Sequence, residues 1–106
     1  MIQIEVVKDE RGTVPFEKWF QSLKDKKTRQ HILARLERVK LGNFGDWKSI
    51  ARGVNEMRIY VGPGYRVYFG RRGAEIVLLL GGGSKSSQER DIKKAVELWN
   101  WYESEE

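Results

Sequence analysis

The stretch MRIYVGPGYRVYF, from Met57 to Phe69, decides the local fold because two alternating arms flank a Gly-Pro-Gly segment. Successive side chains of a strand point to opposite faces of a sheet, so alternation gives each arm two faces. One face is apolar, and the other consists of arginine and tyrosine. Gly62, Pro63 and Gly64 favour a turn between the arms. The pattern therefore predicts a β-hairpin with one buried face and one polar face.

The turn sets which residues lie opposite each other in the predicted hairpin. A loop at 62–64 pairs Val61 with Tyr65, and further along the arms Arg58 then lies opposite Tyr68. The predicted buried face contains Met57, Ile59, Val67 and Phe69, and the predicted open face contains Arg58, Tyr60, Arg66 and Tyr68. The open face is either a solvated surface of stacked arginine and tyrosine pairs or a binding surface.

Apolar periodicity and turn residues predict the remaining elements. In chain order these are a strand at 2–7, a helix from Pro15, a helix at 26–41, a loop at 43–53, strands at 54–61, 65–71 and 75–81, and a helix from about 87. The run EIVLLL in the last strand lacks alternation, so we expect that strand to be central and buried on both faces. The order β-α-α-β-β-β-α predicts one α+β domain over residues 1–106, with a small, mostly antiparallel sheet packed against helices.

The composition limits the classes of site that the chain can carry. Its 106 residues include 20 Lys and Arg against 15 Asp and Glu, and the formal net charge of +5 favours an anionic partner. There is no cysteine and a single histidine, His31, which excludes disulfides, thiolate metal sites and multi-histidine metal sites. We therefore expect no metal and no cofactor. No segment matches a signal peptide or a membrane span, so we expect a cytoplasmic protein that does not contact membranes.

A further basic residue, Lys85, lies in the segment GGGSKSS at 81–87. We expect the glycines to release the chain from the sheet and a capping box at 86–89 to start the last helix. A helix start offers free N–H groups, so Lys85 together with Arg58 and Arg66 could hold a phosphate. The alternative is a flexible connection followed by a cap, because the glycines have the spacing of neither common nucleotide-binding motif.

The helix predicted at 26–41 has a basic face opposite its apolar one, and two more cations follow in the predicted loop. The candidates for RNA binding are Arg29, Arg35, Arg38, Lys40, Lys48 and Arg52. Together they form either a solvated surface or a contact to RNA, where each neutralised phosphate would add salt dependence.

Three segments carry a family likeness: RLERVKLGNFGDWKSI at 35–50, NEMRIYVGPGYRVYF at 55–69 and LLLGGGSKSSQERDIKKA at 78–95. With the layout of one strand, two helices and three strands, they resemble the RelE/ParE superfamily of type II toxin–antitoxin toxins. The second and third segments look specifically like its HigB-like addiction-module killer proteins. The likeness covers nearly the whole chain and implies a RelE-like fold.

The resemblance also implies a function and partners. Such toxins are metal-independent mRNA endoribonucleases that usually act on message in the ribosome and so inhibit translation. Each is neutralised by a cognate antitoxin, typically a helix-turn-helix protein, and contacts DNA only through the antitoxin complex.

The resemblance also implies roles for individual residues. Arg58 and Arg66 match arginines of the superfamily that lie on either side of the turn and stabilise the phosphate. Lys85 lies near the second basic catalytic position of the superfamily. The segment Arg90–Ile92 departs from RelE, which has a catalytic tyrosine in this region.

The expected reaction uses the 2′-hydroxyl of the RNA as nucleophile on the adjacent phosphorus. The protein must then remove the 2′ proton, stabilise charge on phosphorus and protonate the leaving 5′ oxygen. The arginines suit charge stabilisation, and the candidates for proton transfer are Tyr60, Tyr68 and Lys85. His31 is chemically suited to act as a base, but its charged helical surroundings favour an ordinary surface histidine.

Two other interpretations remain open. One is a ParE-like protein that inhibits DNA gyrase or another protein target without catalysis, and the other is an inactive relative of the nucleases. The basic residues around the turn favour the nuclease, whereas the missing helix tyrosine keeps the gyrase inhibitor open.

Overall fold

A computed structural model describes residues 1–105 as an α+β domain with three α-helices and one five-stranded sheet, which confirms the predicted fold class. The elements are β1 (Gln3–Val6), α1 (Pro15–Ser22), α2 (Lys26–Lys40), β2 (Trp47–Ala51), β3 (Val54–Ile59), β4 (Tyr65–Arg72), β5 (Ile76–Ser84) and α3 (Gln88–Glu105), with a 3-10 turn at Lys85–Ser87. The strand order is β1-β5-β4-β3-β2, in which β1 pairs with β5 in parallel and the other neighbours are antiparallel. Within the described residues, no helix is both long enough and apolar enough to cross a bilayer.

The predicted loop at 43–53 contains a strand, so the predicted element order lacks one member. The observed order is β-α-α-β-β-β-β-α, because β2 pairs with β3 along one edge of the sheet. The segment WKSIA has no clear alternation of apolar residues, and its strand conformation depends on the ladder that β3 offers. Trp47 of β2 is 45% exposed, but its ring packs against Phe44 and Phe69.

The hairpin of β3 and β4 forms, but its predicted register is wrong. Tyr65 pairs with Ile59 rather than with Val61, and the loop spans residues 60–64. Gly62 and Gly64 have φ values of 56° and 88°, and a bond from the Gly64 N–H to the Val61 carbonyl closes a turn inside the loop. The longer loop moves the pairing by an even number of residues, so the apolar face keeps its composition. The four side chains predicted to be buried are so: Met57, Ile59, Val67 and Phe69.

The sheet separates two apolar cores. Helices α1 and α2 cover one face, where Ile32 and Val39 of α2 pack with Met57 and Val67. Helix α3 covers the other face. The side chains of β5 alternate between the two cores, which confirms burial of that strand on both faces, although β4 rather than β5 is the middle strand.

The glycines at 81–83 continue β5, whereas we expected them to release the chain. Gly82 pairs with Val67 and Gly83 with Arg66. A Cβ on Gly82 would lie 2.3 Å from the ring of Trp19, and one on Gly83 would lie 1.8 Å from Oδ2 of Asp91. The glycines therefore allow α1 and α3 to approach the two faces of this strand, and they carry β5 far enough to bring Lys85 beside the hairpin.

The close approach of α3 gives a stability prediction at Gly70 in β4. A Cβ there would lie 2.3 Å from the ring of Trp99, which is itself buried. We expect Gly70→Ala to lower the free energy of unfolding by about 1–3 kcal/mol, because the core has no space for the methyl group. Urea denaturation measures the effect, with Glu75→Ala on the exposed turn as the control, expected within about 0.5 kcal/mol of the unmutated protein. Equal stability of the two variants would contradict this packing.

Candidate functional site

Three cations from consecutive strands meet at one end of the sheet. Arg58 lies near the end of β3, Arg66 near the start of β4, and Lys85 directly after β5. Because these strands are antiparallel neighbours, the three positions lie at the same end of the sheet. They line one open pocket of about 500 Å³ together with Tyr60 and the loop that follows it. No carboxylate among residues 1–105 lines the pocket, so it is suited to an anion.

A buried carboxylate lies beneath the two arginines. Glu56 has no solvent exposure, and its Oε2 and Oε1 lie 3.4 Å from Nε of Arg58 and 3.4 Å from Nε of Arg66. Nε2 of Gln88, at the start of α3, donates to Oε1 at 2.8 Å. A buried charge is tolerated only when it is paired, and here two cations and one amide pair it. Sequence reasoning missed Glu56, although alternation along β3 places it on the face of Arg58.

The two arginines differ in exposure. The side chain of Arg58 is 33% exposed and that of Arg66 is 13% exposed. Nε of Arg66 is buried and faces Glu56 as an ion pair without the alignment of a hydrogen bond. Hydrogen bonding to Tyr60 and then to Glu56 raises the pKa of Arg58, so this guanidinium stays charged.

Tyr60 lies at the open rim of the pocket. It is 74% exposed, and its hydroxyl donates to Oδ2 of Asp46, in the loop before β2. The carbonyl of Asp46 in turn accepts the backbone N–H of Arg58 at 2.9 Å. Asp46 therefore joins the phenol and the backbone of the arginine at one point. Nothing local in the sequence marks Asp46 as part of this site, because the contact depends on the position of β2.

Arg35 was predicted to be an exposed RNA-binding residue, and this prediction is wrong. It is 8% exposed, and its guanidinium donates to three carbonyl groups: Nη1 to Arg58 at 2.5 Å, Nε and Nη2 to Phe44 at 3.2 and 2.9 Å, and Nη2 to Asp46 at 2.9 Å. Burial lowers the pKa of Arg35 from its ordinary value. The side chain ties α2 to the end of β3 and to the preceding loop, and has little capacity left for a ligand.

Tyr68 was predicted to lie on the open face, and this is also wrong. It is fully buried in the core beneath α3, and its hydroxyl has no hydrogen-bond partner among the described residues. Burial, reinforced by the charges of Glu56 and Asp91, raises the pKa of Tyr68 well above its ordinary value. A phenol in this position neither reaches a ligand nor releases its proton readily, so the open face reduces to Arg58, Tyr60 and Arg66.

The other basic candidates lie outside the pocket. Arg38, Lys48 and Arg52 are exposed. Arg29 is half-buried and donates to the carbonyl of Leu23, and Lys40 forms an ion pair with Glu37 at 2.7 Å. Three of the six RNA-binding candidates are thus exposed and form no ion pair with a residue of the described range 1–105: Arg38, Lys48 and Arg52.

The segment at 90–92 does not line the pocket either. Arg90 is exposed on a larger cleft between α1 and α3, and Asp91 accepts a hydrogen bond from Ser87. Ile92 packs against the core under α3. The expected capping box is not seen, since Oγ of Ser86 pairs with Oγ of Ser84. Among residues 1–105, no three His, Cys, Asp or Glu side chains are grouped so that they could hold a metal ion.

The internal role of Arg35 can be tested against Arg38 on the same helix. Arg35→Met leaves several carbonyls without their donor, so we expect a loss of at least about 1–3 kcal/mol in the free energy of unfolding. Arg38→Met removes the same charge from an exposed position and should change stability by no more than about 0.5 kcal/mol. Thermal and urea unfolding of the two variants measure the difference. Similar stability in both would contradict the assignment.

Tyr68 predicts a specific dependence of stability on pH. Its raised pKa keeps the proton on the folded protein above pH 10, where an unfolded tyrosine loses its proton. Stability from this group is therefore complete below about pH 10 and is lost as the pH rises further. We expect Tyr68→Phe to lose less unfolding free energy than the unmutated protein between about pH 9 and pH 11. Urea denaturation of both proteins at about pH 9 and about pH 11 measures the two losses, and equal losses would contradict the raised pKa.

Comparison with known proteins finds a relative that matches most of the chain. No family model matches the chain. An uncharacterized protein of Haemophilus influenzae is 46% identical over 85 residues, which cover 80% of this chain and 86% of the relative. Identity at that level over most of both chains indicates common descent and a shared fold. The chain described here therefore belongs to the same protein family as this Haemophilus influenzae protein.

Proposed function

We propose that the chain is the toxin of a type II toxin–antitoxin system, a HigB-like member of the RelE/ParE superfamily that cleaves mRNA at the ribosome. The observation that carries the proposal is the meeting of Arg58, Arg66 and Lys85 around one pocket without a lining carboxylate. These are the positions at which the sequence resembles the superfamily. The proposal includes the finer classification of the α+β fold as RelE-like, with β2 as an additional edge strand.

The arginines suit the phosphoryl part of the reaction. The 2′-hydroxyl attacks the adjacent phosphorus, and negative charge builds on the equatorial oxygens as the bond to the 5′ oxygen breaks. A guanidinium binds two oxygens at once and does not lose its proton near neutral pH. Arg58 and Arg66 therefore stabilise the charge, while Lys85 adds a third positive charge at the same pocket.

Proton transfer falls to the two sequence candidates that line the pocket with an exposed side chain. These are Tyr60 and Lys85, since Tyr68 is buried. The hydroxyl of Tyr60 donates a hydrogen bond to Asp46, which holds the phenol at the rim of the pocket. In this mechanism one of the two groups, in its deprotonated form, takes the 2′ proton, and the other, in its protonated form, gives a proton to the leaving 5′ oxygen.

The remaining exposed cations provide a wider contact to RNA. Arg38, Lys48 and Arg52 are placed outside the pocket, where they can neutralise phosphates of the message or of ribosomal RNA. The proposed partner in the resting cell is a cognate antitoxin, a helix-turn-helix protein that presents acidic residues to these basic surfaces and carries the complex to DNA. The proposed site of action is the cytoplasm, where message is translated.

One observation favours a second candidate, a ParE-like inhibitor of DNA gyrase or another protein target. None of the residues at 90–92, which replace the RelE tyrosine, lines the basic pocket. A site with charge stabilisation but a reduced set of proton carriers would bind an anionic or acidic partner without cleaving it. Message cleavage by the unmutated protein separates the two functions.

Arg58 is the most direct test of the nuclease. We expect Arg58→Ala to abolish growth arrest and message cleavage, since removal of one electrostatic donor costs on the order of 10²–10³ in rate. Arg58→Lys should restore only part of the activity, because an ammonium keeps the charge but loses the paired donors. Expression without antitoxin, primer extension on cellular message and thermal melting measure arrest, cleavage and folding together.

The matched control is Arg11→Ala, which removes the same charge from an exposed residue in the loop before α1. It should leave growth arrest unchanged. Full toxicity of Arg58→Ala would overturn the catalytic assignment. Growth arrest by the unmutated protein without any message cleavage would favour the gyrase inhibitor instead.

A further inference from the structure

We propose that Glu56 is a positioning residue, a buried carboxylate that sets the orientation and spacing of Arg58 and Arg66 toward a phosphodiester in the pocket. The inference rests on the proposed function, because it assigns a role within the same site. Glu56 itself touches no ligand, since it has no solvent exposure and does not line the pocket.

The contacts give the carboxylate this role. Each of its oxygens lies 3.4 Å from the Nε atom of a different arginine, so one rigid group serves both strands of the hairpin. Arg58 and Arg66 are also direct cross-strand partners. Like charges at such positions repel each other, and the carboxylate between them offsets that repulsion. A guanidinium held through Nε keeps terminal N–H groups with which it can bind a phosphate.

Gln88 holds the carboxylate in turn. Its Nε2 donates to Oε1 of Glu56 at 2.8 Å, and the residue is the first of α3. The orientation of the two guanidiniums thus depends on a contact from the helix that packs on this face of the sheet. The chain of contacts runs from α3 through Glu56 to β3 and β4, and ends at the pocket.

Charge and geometry predict opposite effects when Glu56 is neutralised. A negative charge beneath a basic pocket repels RNA, so Glu56→Gln should leave RNA affinity unchanged or make it tighter. If the carboxylate positions the arginines, the same change should slow cleavage on the order of 10- to 100-fold at saturating protein, because misplaced groups lose rate without losing binding. A residue that only supported folding would not separate the two measurements.

The experiment compares four full-length proteins: unmutated, Glu56→Gln, Gln88→Met and Glu103→Gln. The last removes a charge from an exposed position of α3 and is the control for net charge. Binding is measured with a 2′-O-methyl RNA oligonucleotide that cannot be cleaved, and cleavage is measured on message in a translating extract. NMR follows the Nε–Hε signals of the two arginines, assigned with Arg58→Lys and Arg66→Lys, and thermal melting follows folding.

We expect the two arginine signals of the unmutated protein to move when the oligonucleotide binds. In Glu56→Gln they should shift or broaden in the free protein, with slower cleavage and RNA binding at least as tight. Gln88→Met keeps the charge of Glu56 and should show smaller changes in the arginine signals and in the cleavage rate. Glu103→Gln should match the unmutated protein in every measurement.

A folded Glu56→Gln that cleaves at the original rate would overturn the proposal. If that variant does not fold, Gln88→Met decides, and unchanged arginine signals with unchanged cleavage would overturn it. Absence of cleavage by the unmutated protein would instead refute the proposed nuclease. The arginine signals would then still decide whether Glu56 orients the pair for an anion, because unchanged signals in Glu56→Gln would overturn that role and shifted ones would support it.

Discussion

The charge of Glu56 is fully enclosed by the sheet and α3, and the arrangement of the basic pocket depends on it. An unpaired carboxylate in such a place would strongly oppose folding. Here Arg58, Arg66 and Gln88 approach it from β3, β4 and α3. The ion pairs therefore hold two guanidiniums at one end of the sheet, where Lys85 also lies, directly after β5. Pairing of the buried carboxylate is therefore also what concentrates positive charge at this part of the surface.

A second buried residue, Arg35, holds this end of the sheet in place from the opposite face. Arg35 of α2 donates to the carbonyls of Arg58 and Asp46, and Asp46 also accepts from Tyr60. The backbone from which Arg58 projects is thus fixed by one buried arginine, and its side chain is oriented by one buried carboxylate. The net charge of +5 does not show which cations are buried for structural reasons and which face the pocket, because it counts all of them alike.

The two-sided packing of the sheet explains why the polar face of the hairpin is only partly open. Helix α3 covers the half that contains Tyr68, and Trp99 lies over Gly70, where no side chain is in its way. The uncovered half, near the turn, contains Arg58, Tyr60 and Arg66. Glycines at 82 and 83 likewise leave space on β5, where α1 and α3 approach from opposite sides. The open pocket is therefore the part of the sheet that the helices leave uncovered.

The sequence by itself determined the α+β class, the two first helices, the hairpin and its apolar face, because these follow from short-range periodicity and turn residues. It also identified Arg58, Tyr60, Arg66 and Lys85, which the structure brings to one pocket. Only the tertiary structure decided the register, the edge strand β2 and the burial of Arg35 and Tyr68. Pairing partners, helix coverage and hydrogen bonds to distant carbonyls join residues far apart in the chain, as from Gln88 to Glu56. No local pattern encodes those contacts, because they exist only when the sheet and all three helices are assembled.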